Sequence, residues 1–187
     1  MKITVRESRA DDLDALHLIN DESVPGVGTL AQDRLEALVA DSAVTLVAVD
    51  AGGKPAGFVL VMLEGLGYES LNYRWLSARY DRFAYVDRIA VASAARGRRI
   101  GETLYAAAIE EFAGARPVLL AEVNLEPPNP GSLRFHKRLG FREVGERWES
   151  DRSKGVVYLE RALSGIAPAP RQGGRSTRYR CSRVTRS

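Results

Sequence analysis

Three arginines and two glycines stand at the start of a predicted helix, within the stretch Val91 to Tyr105. The apolar segment Tyr85 to Val91 precedes them, and Arg96-Gly-Arg-Arg-Ile-Gly101 forms the turn. After the turn, apolar residues recur every four positions and share one helix face: Ile100, Leu104, Ala108 and Phe112. A helix start leaves backbone N–H groups unpaired and carries partial positive charge. The extra arginines therefore favour a bound anion there, and a phosphate-bearing cofactor is the best candidate.

Periodicity and turn residues predict the elements that position this turn, in the order β-α-α-β-β-β-α-β-α-β-β. Helices are expected over residues 10–21 (capped by Ser8), 29–40, 100–112 and 130–138, with Pro130 in a first helical turn. Strands are expected near residues 3–5, 44–49, 58–63, 85–91, 118–123, 141–148 and 156–163. This order predicts a single α/β domain over residues 1–163, with about four helices and a mixed, mostly antiparallel sheet of about seven strands.

Composition is that of an ordinary globular protein, with 45% hydrophobic and 27% charged residues in 187. Neither a secretory signal nor an apolar run long enough to span a bilayer is visible, and Cys181 has no second cysteine to pair with. Two histidines and one cysteine show no metal-ligand spacing, so no metal is expected. These features favour a cytoplasmic protein without membrane association.

The positive net charge comes from residues 164–187, which hold six arginines and no acid. Without them the net charge changes from +3 to −3, so nucleic acid is an unlikely partner for the domain. This Gly-, Ser- and Arg-rich tail is predicted to be disordered and nonessential; binding of RNA or acidic partners is the alternative.

The chain resembles the GNAT superfamily of N-acetyltransferases over residues 1–163. Arg96-Gly-Arg-Arg-Ile-Gly101 matches the family turn, and Ala121-Glu-Val-Asn124 matches the strand that follows. Residues 129–141, with Asn129 first and Gly140-Phe141 last, match the downstream helix. Two positions differ: Arg99 stands where the family has glycine, and His136 stands where many members have a tyrosine acid. Within the superfamily, Asn72-Tyr-Arg-Trp75 and neighbouring motifs look like an uncharacterised bacterial group.

The resemblance implies acetyl-CoA as co-substrate. The loop residues Arg96, Gly97, Arg98, Arg99, Ile100, Gly101 and Glu102 would hold its pyrophosphate. The backbone of Ile89, Ala90 and Val91 would lie along the pantetheine and acetyl group, and an N–H of that strand would stabilise the oxyanion. Asn129 would contact the cofactor arm.

The identity of the catalytic base stays open between two carboxylates. By resemblance Glu122 takes the amine proton directly or through water, whereas Asp87 lies one strand away, in phase with Ile89 and Val91. Either could instead form a structural ion pair. His136 could protonate the CoA thiolate, or it could be an ordinary helix histidine.

The aromatic segment 65–80 is a candidate wall or lid over the amine, through Tyr68, Tyr73 and Trp75. Ordinary packing over a sheet edge is the alternative for these side chains.

The predicted function is acetyl transfer to a primary amine by direct attack in a ternary complex, since no activated serine or cysteine is apparent. The acceptor would be a small-molecule amine or a peptide N-terminus, and a homodimer is possible. The alternative is a non-catalytic acyl-CoA-binding sensor.

Overall fold

The computed structural model describes residues 2–163, which form five α-helices and a seven-stranded sheet. The strands are β1 (Thr4–Glu7), β2 (Val44–Val49), β3 (Pro55–Leu63), β4 (Ala84–Val91), β5 (Val118–Glu126), β6 (Arg142–Trp148) and β7 (Gly155–Ala162). The helices are α1 (Leu13–Asp21), α2 (Gln32–Asp41), α3 (Leu71–Ser77), α4 (Ile100–Phe112) and α5 (Pro130–Arg138). The predicted mixed α/β domain is confirmed, while the prediction for the arginine tail lies outside the described residues.

The sheet order is β1-β2-β3-β4-β5-β7-β6, and every pair is antiparallel except β4 with β5. That parallel pair is short: Ala84 faces Leu119 and Tyr85 faces Leu120. β4 continues for six residues beyond this pairing, to Val91, without a partner on its β5 side among the described strands. A gap therefore opens in the middle of the sheet, at the C-terminal end of β4.

Helices cover both faces of the sheet. The predicted apolar face of α4 is buried in the largest core cluster, together with residues of β2, β3 and β5. On the opposite face, α3 brings Tyr73 and Leu76 against Phe83 and Tyr85, and α1 and α2 bury Leu16 and Leu35 nearby. Burial of each large apolar side chain contributes about 1.5–3 kcal/mol to the stability of the fold. These contacts therefore fix the position of α4 relative to β4.

Two helix predictions need correction. The first helix is preceded by a single 3₁₀ turn, Ala10–Asp12, and Ser8 does not cap it. Asp12 stands at the N-cap position of α1 but makes no side-chain cap hydrogen bond. Its carboxylate accepts from the N–H of Arg9, which precedes the 3₁₀ turn, at 2.8 Å and pairs with Arg6 at 2.6 Å. The aromatic segment 65–80, in which no helix was predicted, contains α3, so residues 2–163 hold five α-helices rather than about four. Its seven residues are too few to show a clear helical period.

Candidate active site

Two cavities of about 820 and 590 Å³ lie at the gap between β4 and β5. The larger one extends along the end of β4 to the start of α4, and the smaller one extends over β5 toward β6 and α3. Both are lined by Ile89, Ser132 and His136 and by the segment of residues 24–27. A ligand in one cavity can therefore meet a ligand in the other at the end of β4.

The first turn of α4 opens into the larger cavity. Gly97, Arg99, Gly101 and Glu102 line it, and the N-cap residue, Arg99, makes no side-chain cap hydrogen bond. Gly101 packs closely against α5, since a Cβ there would lie 3.1 Å from the ring of Phe135. The free N–H groups of this turn can bind a phosphate group, and the predicted binding of CoA requires such a phosphate site.

Arg99 occupies the N-cap position with φ of 61°, a left-handed conformation that favours glycine. The residue that departs from the family pattern thus keeps the backbone shape that glycine would give. Its exposed guanidinium pairs with Glu102 at 2.6 Å at the edge of the cavity. The other predicted loop residues Arg96 and Ile100 also line the cavity, whereas Arg98 does not.

The unpaired edge of β4 supplies further donors. The N–H of Ala92 donates to the carbonyl of Ala56 on β3 at 3.0 Å. Because successive N–H groups of a strand point in opposite directions, those of Ile89 and Val91 face the gap. Both residues line the larger cavity, as do Ala90 and Asn129. The Asn129 Oδ1 atom accepts from the N–H of Ser132 at 3.1 Å and caps α5.

Glu122 projects from β5 into the smaller cavity. Its Oε1 atom accepts from the Asn72 Nδ2 atom and from the Tyr85 hydroxyl, each at 3.0 Å. Oε2 is shielded from solvent and has no hydrogen-bond partner among residues 2–163. Burial and the nearby charge of Asp87 raise the pKa of Glu122 to about 8, although the two donors oppose this shift.

Asp87 lies in the same cavity, but both of its carboxylate oxygens have partners. The Tyr68 hydroxyl donates to Oδ1 at 2.8 Å, and Arg88 Nε donates to Oδ2 at 3.0 Å. Arg88 in turn donates to the buried Asn20 at 2.8 Å. The structure thus brings both candidate bases together, and it leaves an unpaired oxygen on Glu122 alone of the two.

His136 is buried between the cavities and its tautomer follows from its partners. Nδ1 lies 2.8 Å from the carbonyl oxygen of Ser132, which can only accept, so Nδ1 carries the hydrogen. Burial lowers the pKa of His136, so the ring is neutral near pH 7. Nε2 is then an acceptor for the Tyr105 hydroxyl at 2.6 Å. In this state the imidazole has no proton to give from Nε2.

Of the three aromatic residues predicted to form the substrate wall, one lines a cavity and two are packed elsewhere. Tyr68 lines the smaller cavity. Tyr73 is 2% exposed, and its hydroxyl donates to the Leu63 carbonyl at 2.6 Å. Trp75 stacks on Tyr158 at 3.9 Å between ring centroids, and neither Tyr73 nor Trp75 lines either of these two cavities.

Sequence reasoning missed four polar contacts of the site, made by Asn72, Tyr85, Tyr105 and Arg147. Tyr85 had a signal, since it lies two residues before Asp87 and so on the same strand face. Asn72 and Arg147 carried no such signal, because their contacts join distant parts of the sequence. Asn72 lies 50 residues from Glu122, and Arg147 lies 75 residues from Asn72.

Comparison with known proteins gives one matching family model, described as the acetyltransferase (GNAT) family, over residues 13–141. The phosphinothricin N-acetyltransferase of Streptomyces coelicolor is 39% identical over 103 residues. That alignment covers 51% of this chain and 60% of that protein, so the chain spans about three fifths of the relative's length.

Solved structures share the fold. A phosphinothricin acetyltransferase of the GNAT superfamily from Sinorhizobium meliloti, in complex with AcCoA, has a TM-score of 0.63 at 22% identity, covering 92% of this chain and 95% of that one. The ribosomal-protein-S18-alanine N-acetyltransferase from Escherichia coli has a TM-score of 0.67 at 16% identity, covering 95% and 100%. Within residues 2–163 there is neither a helix able to span a membrane nor a cluster of side chains suited to a metal ion.

Proposed function

Since this chain belongs to the acetyltransferase (GNAT) family, we propose that it transfers an acetyl group from acetyl-CoA to a primary amine by direct attack in a ternary complex. One observation carries the proposal. A shielded carboxylate, Glu122, stands with one unpaired oxygen in a cavity that meets a second, phosphate-suited cavity at the end of β4.

Bound acetyl-CoA would supply an activated acetyl thioester. The first turn of α4, with Arg96 and Arg99, would hold its phosphates, and the gap-facing N–H groups of Ile89 and Val91 would hold its arm. One of these strand donors would polarise the thioester carbonyl as negative charge develops on its oxygen. The open cavity and the uncapped helix start are the features that fit this ligand.

Glu122 is our assignment for the base. The pKa of an alkylammonium group such as that of lysine is about 10. The Glu122 pKa of about 8 lies closer to this value than the pKa of an ordinary carboxylate does. Proton transfer from the ammonium is therefore less unfavourable, and a general base of this kind contributes about 10²–10⁴-fold. In the balanced step one ammonium proton passes to Glu122, the N–C bond forms and the C–S bond breaks. The second nitrogen proton goes to the departing thiolate, directly or through water, so the products are the N-acetylated amine and free CoA thiol.

Direct attack is also supported by the surroundings of Ser132. Its hydroxyl lies 3.3 Å from His136 Nδ1, the spacing of a nucleophile and its base. However, Nδ1 carries a hydrogen that it donates to a carbonyl, so it cannot take the proton of Ser132. We accordingly assign His136 a positioning role, in which it holds Tyr105 and α5, rather than that of a proton donor.

For the acceptor site we propose Tyr68 as the aromatic wall, and we place Tyr73 and Trp75 in the packing that supports it. The order of substrate binding tests the ternary complex. Initial rates measured while acetyl-CoA and an amine are both varied should give intersecting double-reciprocal lines. Parallel lines, together with an isolable acetyl-enzyme, would contradict direct attack.

A further inference from the structure

Four carboxylates (Asp87, Glu122, Glu126 and Glu149) and three basic side chains (Arg88, Arg147 and Lys154) line the smaller cavity. Asp87 and Arg88 neutralise each other at 3.0 Å. Glu149 and Lys154 lie next to each other at the β6–β7 turn, where the Glu149 N–H donates to the Lys154 carbonyl. Arg147, on β6, lines the same cavity and forms no ion pair with any residue in 2–163.

Arg147 is nevertheless held in place. Its Nε atom donates to the Tyr158 hydroxyl at 3.3 Å, and Nη2 donates to Asn72 Oδ1 at 3.2 Å. The Tyr158 hydroxyl also donates to Asn72 Oδ1, at 3.1 Å. A guanidinium has five N–H donors, so these neutral partners leave several donors unused, and no carboxylate of residues 2–163 forms an ion pair with the group.

The same asparagine connects Arg147 to the proposed base. Asn72 Nδ2 donates to Glu122 Oε1 at 3.0 Å while its Oδ1 accepts from Arg147. One side-chain amide thus lies between a positive group and the carboxylate that would take the amine proton. A small acceptor placed with its ammonium at Glu122 has a second attachment point at Arg147.

We infer that the acceptor is a small amine that also carries an anionic group, a carboxylate or a similar oxyanion, and that Arg147 binds this group. The inference rests on the proposed function. Arg suits this task because its planar fork pairs with two oxygens of one anion, and such charge-assisted hydrogen bonds are strong. A polyamine acceptor would instead place its second positive charge beside Arg147, which costs free energy.

Matched acceptors test this inference on the full-length protein. Rates of acetylation are measured for L-methionine, γ-aminobutyrate and L-glutamate. They are compared with the rates for methioninamide, γ-aminobutyramide and the diamide of glutamate, which keep the amine and lack every carboxylate. Wild type should prefer each carboxylate over its amide. Arg147→Gln should lower that preference about 10- to 100-fold, mainly through KM, and Arg147→Lys should restore part of it.

Arg134→Gln is the matched control, because it removes the same charge from an exposed position on α5 that lines neither cavity. Equal use of acids and amides by wild type would overturn the inference, and so would an unchanged preference in a folded Arg147→Gln protein.

Calorimetric binding of the N-acetylated acids separates this inference from the proposed function, since it needs no turnover. Tighter binding to wild type than to Arg147→Gln supports the anion site even if no amine is acetylated. Equal binding to both proteins contradicts the site even if amines are acetylated.

Discussion

The pKa of Glu122 should move in opposite directions when two of its neighbours are changed. Tyr85→Phe removes one of the two donors to Oε1, and Asp87→Asn removes the nearby negative charge. A hydrogen bond to a carboxylate favours its ionised form, so its loss raises the pKa; the loss of a like charge lowers the pKa.

The magnitudes follow from the contacts. With a pKa of about 8 the carboxylate is roughly one-tenth ionised at pH 7, so kcat/KM there should be about a tenth of its alkaline plateau. A hydrogen bond to a charged group contributes about 1.5–3 kcal/mol, and one pKa unit equals about 1.4 kcal/mol. Tyr85→Phe should therefore raise the apparent pKa of Glu122 by about 1–2 units, and Asp87→Asn should lower it by about 1 unit.

The assay is kcat/KM for one amine between pH 6 and pH 10 at saturating acetyl-CoA. Titration of the amine itself is common to all variants and cancels in their comparison. Tyr73→Phe is the control, because it removes a buried hydroxyl that bonds to Leu63 and not to Glu122. Shifts in the same direction, or none, would refute the assignment. Loss of activity at every pH in Asp87→Asn alone would identify Asp87 as the base.

Three further predictions test other parts of the site. Arg99→Gly should raise the free energy of unfolding in urea by about 1 kcal/mol, because it removes a left-handed non-glycine residue. The same substitution should weaken CoA binding, because the guanidinium is lost. A loss of stability would contradict the first expectation. Tyr68→Ala should raise the KM for the amine about tenfold, whereas Trp75→Ala should leave that KM within about threefold; the reverse pattern would move the wall to Trp75. His136→Phe leaves the buried Tyr105 hydroxyl unpaired and should lower the free energy of unfolding by about 1–3 kcal/mol. Its rate should fall at least tenfold less than that of Glu122→Gln, and an equal loss would restore His136 as a proton donor.

Local signals predicted the elements of this fold well. The four-residue spacing along α4 correctly predicted its buried face, and Pro130 correctly predicted the start of α5. The structure adds that Asn129 caps α5, a role that was not predicted. The exception, α3, is short and carries its aromatic residues on more than one side, so no period stands out.

The choice between Glu122 and Asp87 could not be made from the sequence. It depends on partners far along the chain: Tyr68 and Arg88 occupy Asp87, while Asn72 and Tyr85 hold one oxygen of Glu122 and leave the other free. Such differences arise only when the strands and α3 meet. The left-handed conformation of Arg99 could not be predicted either, because the sequence shows that glycine is replaced but does not show the φ angle at that position.

Release of free thiol from acetyl-CoA across a panel of primary amines tests the central claim most directly, with wild type and Glu122→Gln measured side by side. We expect thiol release that requires both enzyme and amine, accompanied by the N-acetylated product, and a loss of at least 10²-fold in Glu122→Gln. Thermal stabilisation of wild type by CoA without turnover of any amine would contradict the account and identify the protein as an acyl-CoA-binding module.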